Sequence, residues 1–437
     1  MNVLPHSLER RSFLAATAGW MGASLLGPQT SLSAPRRNPS GIKITGIKTY
    51  MFNVSTGPKR ELEDKQRKQS SAFKTWLFLK IETNAGTYGW GEGSGEWLSP
   101  IVRTTLHEWE PLLVDRDPLD VVSVCDDITN RLPWKGGPVF GTAIAAINMA
   151  LYDIAGKILQ VPVYQLLGGR KRDRIKVYHG GINFTSPERA REDARIAVES
   201  GVRGLKGNPL EARSWPMDYR VLDDCTNVVA AVRDEVGPDI ELMLDTHGSP
   251  SPALSVLFAQ KVAPYRPLFL EEPCKVGSAD VLRDISEKSP VPIATGEKLF
   301  SYRDFKEVID ARACAFLQPD LSHSFGINNF LHIARLADEA QMLMAPHNAG
   351  GPVHFAALAN TDAVVSNFLI QEVSGHWLAR FHEFVDHEFQ LDDGFIGLVD
   401  RPGLGIDVKE ADVAKMPYDR RMEYRQYRHA DGSWKGW

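Results

Sequence analysis

From Arg174 onward one pattern recurs: a short apolar run that ends in a polar residue. Ile175-Lys176-Val177-Tyr178 and Val202-Arg203-Gly204-Leu205-Lys206 open the series. Leu242-Met243-Leu244-Asp245, Leu268-Phe269-Leu270-Glu271 and Ile293-Ala294-Thr295-Gly296-Glu297 continue it. Phe316-Leu317-Gln318-Pro319-Asp320, Leu343-Met344-Ala345-Pro346-His347 and Phe368-Leu369-Ile370-Gln371-Glu372 complete it. Most closing residues stand roughly 25 positions apart, room for one strand, one helix and two loops. Eight such units predict an α/β fold, a (β/α)8-type barrel, with its active site at the carboxyl ends of the strands. Layers inside a barrel favour Val, Ile and Leu, so polar residues ending successive strands point to chemistry rather than packing.

The preceding stretch reads differently. Ile42-Lys43-Ile44 and Ile47-Lys48-Thr49-Tyr50 flank Gly46, a candidate bulge. Trp76-Leu77-Phe78-Leu79-Lys80-Ile81 is a second strand, and Asn84-Ala85-Gly86 turns the chain into Thr87-Tyr88-Gly89-Trp90-Gly91. Between the first two strands, Asn53 to Ser71 carries charges of both signs and reads as a solvated loop, a candidate lid. Ile144, Ile147, Leu151, Ile154 and Ile158 mark one face of a buried helix. The expected organisation is therefore an α+β capping domain over 42–170, a barrel over 171–390, and a C-terminal segment, 391–437, that returns to the cap.

The first 34 residues read as an address. Arg10-Arg11-Ser12-Phe13-Leu14 precedes a modest apolar run, Ala15 to Leu26, and Ser31-Leu32-Ser33-Ala34 offers small residues for cleavage. A twin-arginine export signal and a periplasmic or otherwise exported protein are the expectation, with a cytoplasmic one if the signal is not used. No later segment is expected to approach the length and apolar character of a membrane span. A net charge of −5 argues against a nucleic-acid binder, which needs clustered positive charge. The four cysteines, Cys125, Cys225, Cys274 and Cys314, form no CxxC pair and read as buried thiols.

At the strand ends, Asp245, Glu271 and Glu297 close three consecutive strands and should converge. Three carboxylates at close range repel, and a hard cation relieves them; an all-oxygen set favours Mg²⁺ over Zn²⁺. No lysine or arginine recurs beside all three along the chain, and alternation should turn Glu272 away. Asp320 and His347 end neighbouring strands, where a carboxylate on one imidazole nitrogen raises the basicity of the other. His247 lies two residues past Asp245, where it could donate a proton to a leaving group. These parts suit removal of a proton next to a carboxylate, with Mg²⁺ stabilising the enediolate.

Leu270-Glu271-Glu272-Pro273, Gly296-Glu297, Gln318-Pro319-Asp320, Ala345-Pro346-His347 and Leu166-Leu167-Gly168-Gly169 together resemble the enolase superfamily, mandelate racemase subgroup. Trp134-Lys135-Gly136-Gly137-Pro138, Asp245-Thr246-His247-Gly248, Gly296-Glu297-Lys298-Leu299-Phe300, Gln318-Pro319-Asp320-Leu321-Ser322-His323 and Arg401-Pro402-Gly403-Leu404-Gly405 narrow the likeness to its galactonate-type dehydratases. The resemblance implies Asp245, Glu271 and Glu297 as Mg²⁺ ligands and His347, polarised by Asp320, as the base. It implies His247 as the acid that expels the 3-hydroxyl and Glu372 as a stabiliser of the substrate carboxylate. Lys206 and Asn208 are expected to bind substrate. The Lys-x-Lys of two-base racemases is here Lys206-Gly207-Asn208, and Asn208 cannot serve as a base. The function implied is a Mg²⁺-dependent dehydratase that turns a sugar acid into a 2-keto-3-deoxy acid. The alternatives are an epimerase or racemase of a hydroxy acid, or a catalytically silent sugar-acid binding protein. The long loop Asn53 to Ser71 and Asn348-Ala349-Gly350-Gly351 depart from the galactonate pattern where substrate would be read. Expected partners are a small sugar acid and further copies of the chain, with no nucleic acid and no membrane anchor once the signal is removed.

If Arg10-Arg11 is read by an exporter, changing both to lysine is expected to hold the protein in the cytoplasm. Fractionation and N-terminal sequencing check this; periplasmic delivery of the double-lysine variant would refute it.

Overall fold

Alternate residues of one strand belong to two different cores. β1 (Ile44–Ser55), β2 (Phe73–Thr83) and β3 (Tyr88–Glu92) form an antiparallel sheet in that order. Leu77, Leu79 and Ile81 pack with helices of the same layer, whereas Trp76 and Phe78 pack with residues of the barrel. A strand covered on both faces gains from apolar side chains at every position, which explains the unbroken run from Trp76 to Leu79. The register shifts between Ile44 and Gly46, where the bulge was expected. This is a computed structural model, and it describes residues 38–55, 73–210, 219–275, 277–373, 375–419 and 432. The proposed export signal and most of the Asn53–Ser71 loop lie outside the described residues.

Three helices, α1 (Ser99–Leu113), α2 (Val121–Arg131) and α3 (Gly137–Leu159), cover the outer face of the sheet. α3 is long and apolar enough to cross a membrane, contrary to the expectation that no such segment follows the signal. Its apolar window is 89% buried inside the protein, so it is a core helix. β3 lies directly on it: a Cβ at Gly89 or Gly91 would collide with the carbonyl oxygen of Ala150 or Ala146. The Asp153 carboxylate of α3 accepts from the backbone nitrogens of Trp90, at 2.9 Å, and of Leu404, at 2.8 Å, and pairs with Lys157. Asp407 accepts from the Tyr88 hydroxyl and the Trp90 indole nitrogen. The segment around 404–410 thus lies against β3.

The barrel follows. Its strands are β4 (Arg174–Ile182), β5 (Gly204–Gly207), β6 (Glu241–Asp245), β7 (Phe269–Glu271), β8 (Ile293–Thr295), β9 (Phe316–Leu317), β10 (Leu343–Met344) and β11 (Gln371–Val373). Each pairs in parallel with the next up to β10; a bridge from Met344 to Phe368 and the pairing of β11 with β4 close the ring. Tyr178, Met243, Phe269, Ala294, Phe316, Ala345 and Ile370 form a buried cluster of their own, one side chain from each of seven strand segments. Helices fill each crossover, from Pro187–Glu199 to Pro352–Asp362, and a hairpin, β12 (Leu391–Asp392) and β13 (Phe395–Gly397), adds antiparallel to β4.

β8, β9 and β10 stop short of the polar residues expected to end them. Pro319 and Pro346 offer no N–H to a ladder. Gly296 turns at φ 155°, against the backbone of Gln318, where a Cβ would not fit. Glu297, Asp320 and His347 therefore stand on the loops just beyond the strands. All four cysteines are buried and free, as expected.

Gly91→Ala is expected to destabilise the protein by about 1–3 kcal/mol or more, because neither β3 nor the α3 backbone can give way. Thermal or denaturant melting checks this, and an unchanged midpoint would contradict the packing.

Candidate active site

Two aspartates enter the barrel mouth through the same local device. Asp245 Oδ1 accepts from the His247 backbone nitrogen at 2.9 Å, and Asp320 Oδ1 accepts from those of Ser322, at 2.8 Å, and His323, at 3.2 Å. In each case a turn back onto the carboxylate fixes one oxygen and leaves Oδ2 to face a histidine. Asp245 Oδ2 lies 3.0 Å from His247 Nε2, and Asp320 Oδ2 lies 2.8 Å from His347 Nδ1. His247 itself adopts φ 47° ahead of Gly248 at φ 68°.

The expected residues do converge, with their charges shared out in a way that spacing did not reveal. Lys206 Nζ donates to both oxygens of Glu271, at 2.9 and 2.8 Å, and lies 3.4 Å from Asp245 and 3.2 Å from Glu372. Lys298 lies 3.1 Å from Glu297 and also pairs with Glu272. The chain leaves β7 at Glu272, φ 45°, which directs that carboxylate to Lys298. Two lysines thus sit among the carboxylates, although no single one is beside all three expected ligands along the chain.

Side-chain exposure separates floor from rim. Lys206, Asp245 and Glu271 are at most 5% exposed, whereas Glu297, His347 and His247 keep 12%, 15% and 26%. A substrate entering from the mouth meets Glu297 and the two imidazoles first. His347 Nε2 points toward Glu297 Oε2 at 3.4 Å and Glu372 Oε2 at 4.0 Å. The Asn208 side-chain amide lies 3.0 Å from His247 Nδ1, while Nε2 is turned to Asp245.

Electrostatics follow from this crowding. Burial pulls His347 down, but Glu297, Asp320 and Glu372 overcome it and carry the imidazole up to about 10. Burial likewise opposes the charge on His247, and Asp245 carries that ring up to about 9. Asp245 is held well below the usual carboxylate range against its burial by His247 and Lys206, and Asp320 by His323 and the bond from His347. Glu271 is pushed up, by burial and then by Asp245, against the pull of Lys206.

The donor set fits a divalent cation. Ligand atoms of Asp245, His247 and Glu297 lie within 4.8 Å of one another, and the Glu271 carboxylate adjoins them through Lys206. Four carboxyl groups, those of Asp245, Glu271, Glu272 and Glu297, share Lys206 and Lys298, and burial together with Asp245 pushes Glu271 up, a penalty that a bound cation would relieve. Oxygen donors in excess of the cations suit Mg²⁺.

Sequence reasoning gave no role to Lys298, His354 or Glu92, and marked Asn348 only as part of a segment where substrate would be read. Lys298 directly follows an expected ligand, which was a usable signal. Asn348 donates from its backbone to Glu372 Oε2 at 3.3 Å. His354 and Glu92 reach the site only through tertiary contacts, which no local pattern announces.

Two family models match the chain. "Mandelate racemase / muconate lactonizing enzyme, N-terminal domain" covers residues 65–168, and "Enolase C-terminal domain-like" covers 189–412. A D-galactonate dehydratase from Verminephrobacter eiseniae is 37% identical over 370 residues, 83% of this chain and 96% of the relative. Another from Cronobacter sakazakii is 36% identical over 369 residues, with the same shares covered. Among solved structures, an enolase from Agrobacterium radiobacter with sodium and L-malate bound superposes with a TM-score of 0.78 and 25% identity, over 90% of this chain and 99% of that one. A Salmonella Typhimurium member of the enolase superfamily, 22% identical, shares the fold with a TM-score of 0.77, over 86% of this chain and 98% of its own.

Both site imidazoles hold their protons above the ordinary histidine value of 6.5. The folded chain therefore binds more protons than the unfolded one from about pH 6.5 to 10, and stability must fall as pH rises through that window. The histidine contribution is complete below 6.5 and is lost as pH passes about 9 for His247 and about 10 for His347. Chelator-treated protein is expected to melt at progressively lower temperature from pH 7 to 10. Adding Mg²⁺ at pH 8 is expected to flatten that fall and release protons into a weakly buffered solution. A flat melting curve without Mg²⁺, or no proton release with it, would contradict the assignment.

Proposed function

Because the chain belongs to the mandelate racemase/muconate lactonizing enzyme family of the enolase superfamily, we propose that it is a hydro-lyase acting on a sugar acid, a galactonate-like aldonate. It takes the C2 proton and expels the 3-hydroxyl as water, giving a 2-keto-3-deoxy acid. One observation carries this reading: two proton carriers border the same carboxylate ring, His347 at Glu297 and His247 at Asp245.

Asp245, Glu271 and Glu297 would hold Mg²⁺, whose charge offsets the negative charge that builds on the substrate carboxylate as the C2 proton leaves. His347 takes that proton at Nε2 while Nδ1–H stays bonded to Asp320, which fixes the tautomer and steadies the imidazolium. His247 supplies a proton at Nε2 to the departing 3-hydroxyl, oriented by the Asn208 amide on its other nitrogen. Lys206 and Glu372, 3.2 Å apart, would meet the substrate carboxylate and its developing charge. The engagement of Asn208 with His247 disfavours a two-base racemase, since no second base occupies that position.

The two histidines are separable. With D-galactonate and Mg²⁺, His347→Asn is expected to abolish both C2 exchange in D₂O and keto-acid formation. His247→Asn is expected to keep C2 exchange while product formation falls roughly 10²–10⁴-fold, the usual worth of a positioned acid. Exchange by NMR and product by a keto-acid assay, measured side by side, check this; equal loss of both in His247→Asn would defeat the acid role.

Removing one ligand charge gives an independent test. Glu271→Gln is expected to fold, to bind Mg²⁺ far more weakly by calorimetry, and to lose turnover. Wild-type Mg²⁺ affinity in that variant would remove Glu271 from the ligand set.

A further inference from the structure

Behind the His347–Asp320 pair lies a second imidazole that the proposed chemistry does not use. His354 is 1% exposed and stands in the first turn of the helix Pro352–Asp362, which follows the loop after His347. Its Nδ1 lies 3.0 Å from Asn348 Oδ1, which also accepts from the Gly350 backbone nitrogen at 2.9 Å. An amide oxygen only accepts, so Nδ1 carries the proton and Nε2 the lone pair. That lone pair accepts from the Ser322 backbone nitrogen at 3.3 Å and lies 3.5 Å from Asp320 Oδ1. Burial, outweighing Asp320, holds this ring down to about 4, in keeping with a neutral spacer.

The ring has a built seat. A Cβ at Gly350 would strike His354 Nδ1, so only glycine leaves the ring its place. The helix that carries it is fixed from the cap: the buried Glu92 carboxylate at the end of β3 accepts from the backbone nitrogens of Gly351, at 2.5 Å, and His354, at 2.9 Å. A carboxylate at a helix N-terminus meets its unsatisfied N–H groups and the positive end of its dipole. Asn348 in turn donates from its side chain to the Glu372 carbonyl at 3.3 Å.

We propose that His354 is a positioning residue for the His347–Asp320 pair: its ring ties the loop after His347 to the turn that holds Asp320, and Glu92 of the cap seats that ring. The inference rests on the base role given to His347. It adds that the angle at which His347 meets a substrate is set by a residue that touches neither substrate nor metal. A base held within reach but off its line costs rate rather than affinity.

The test compares His354→Phe, which fills the space without polar atoms, with His354→Gln, whose amide can still accept from Ser322. With D-galactonate and Mg²⁺, the Phe variant is expected to lose kcat by roughly 10- to 100-fold at a KM within about twofold of wild type, and the Gln variant to recover most of it. Without substrate, the His347 Nδ1 proton, followed by ¹⁵N-histidine NMR, is expected to exchange with water at least about tenfold faster in the Phe variant, as its bond to Asp320 loosens. Should the Phe variant fail to fold, His354→Asn replaces it, since its shorter amide cannot span Asn348 and Ser322 together. If wild type turns over no sugar acid, the dehydratase reading falls while the proton-exchange comparison still decides the role of His354. Wild-type kcat and proton exchange in the Phe variant would overturn the proposal. So would parallel loss of kcat, KM and melting temperature with no recovery in the Gln variant, the signature of packing alone.

Discussion

Six carboxyl groups, those of Asp245, Glu271, Glu272, Glu297, Asp320 and Glu372, crowd one end of the barrel, and their mutual repulsion is the constraint that the surrounding structure answers. Lys206 grips Glu271 and reaches Asp245 and Glu372; Lys298 holds Glu272 and Glu297; His347 and His247 take up protons beside Asp320 and Asp245. Each cation is placed between two or more anions rather than paired with one. Removing any of them would leave a desolvated charge exposed to like neighbours, which costs far more than a surface ion pair contributes. A divalent cation fits the same logic, since it adds positive charge where oxygen donors exceed the lysines.

The cap takes part in this arrangement. Its sheet is apolar on both faces because one face meets its own helices and the other meets the barrel. Two buried carboxylates bridge the layers by accepting backbone N–H groups: Asp153 joins β3 and α3 to Leu404, and Glu92 joins β3 to the helix after His347. Both groups sit in low-dielectric surroundings, where such bonds are strong when complete and costly when broken. The position of the loop that bears His347 and Asn348 is thus tied to a strand more than 250 residues earlier in the chain.

Much of this was legible in the sequence for a simple reason. A barrel repeats one unit, so the polar residues ending its strands recur at near-constant spacing. Asp245, Glu271, Glu297, Asp320 and His347 could be picked out by that spacing alone. The exact ends of β8, β9 and β10 were less legible, because Gly296, Pro319 and Pro346 release the backbone from the ladder before the functional residue is reached. The apolar stretch of α3 shows the limit of composition: its length and hydropathy suit a bilayer as well as a core, and only its burial distinguishes them.

By itself the sequence determined which strands carry acids and bases and in what order they circle the barrel, since period and residue type are local properties. Tertiary structure decided how those charges are shared. Lys206, Glu271 and Glu372 come from three different strands, and Glu92 and His354 from two different layers, so their distances depend on how the ring closes and how the cap settles on it. Hydrogen bonds act over about 3 Å, and the chain positions that meet at that range are fixed only once the whole fold has packed.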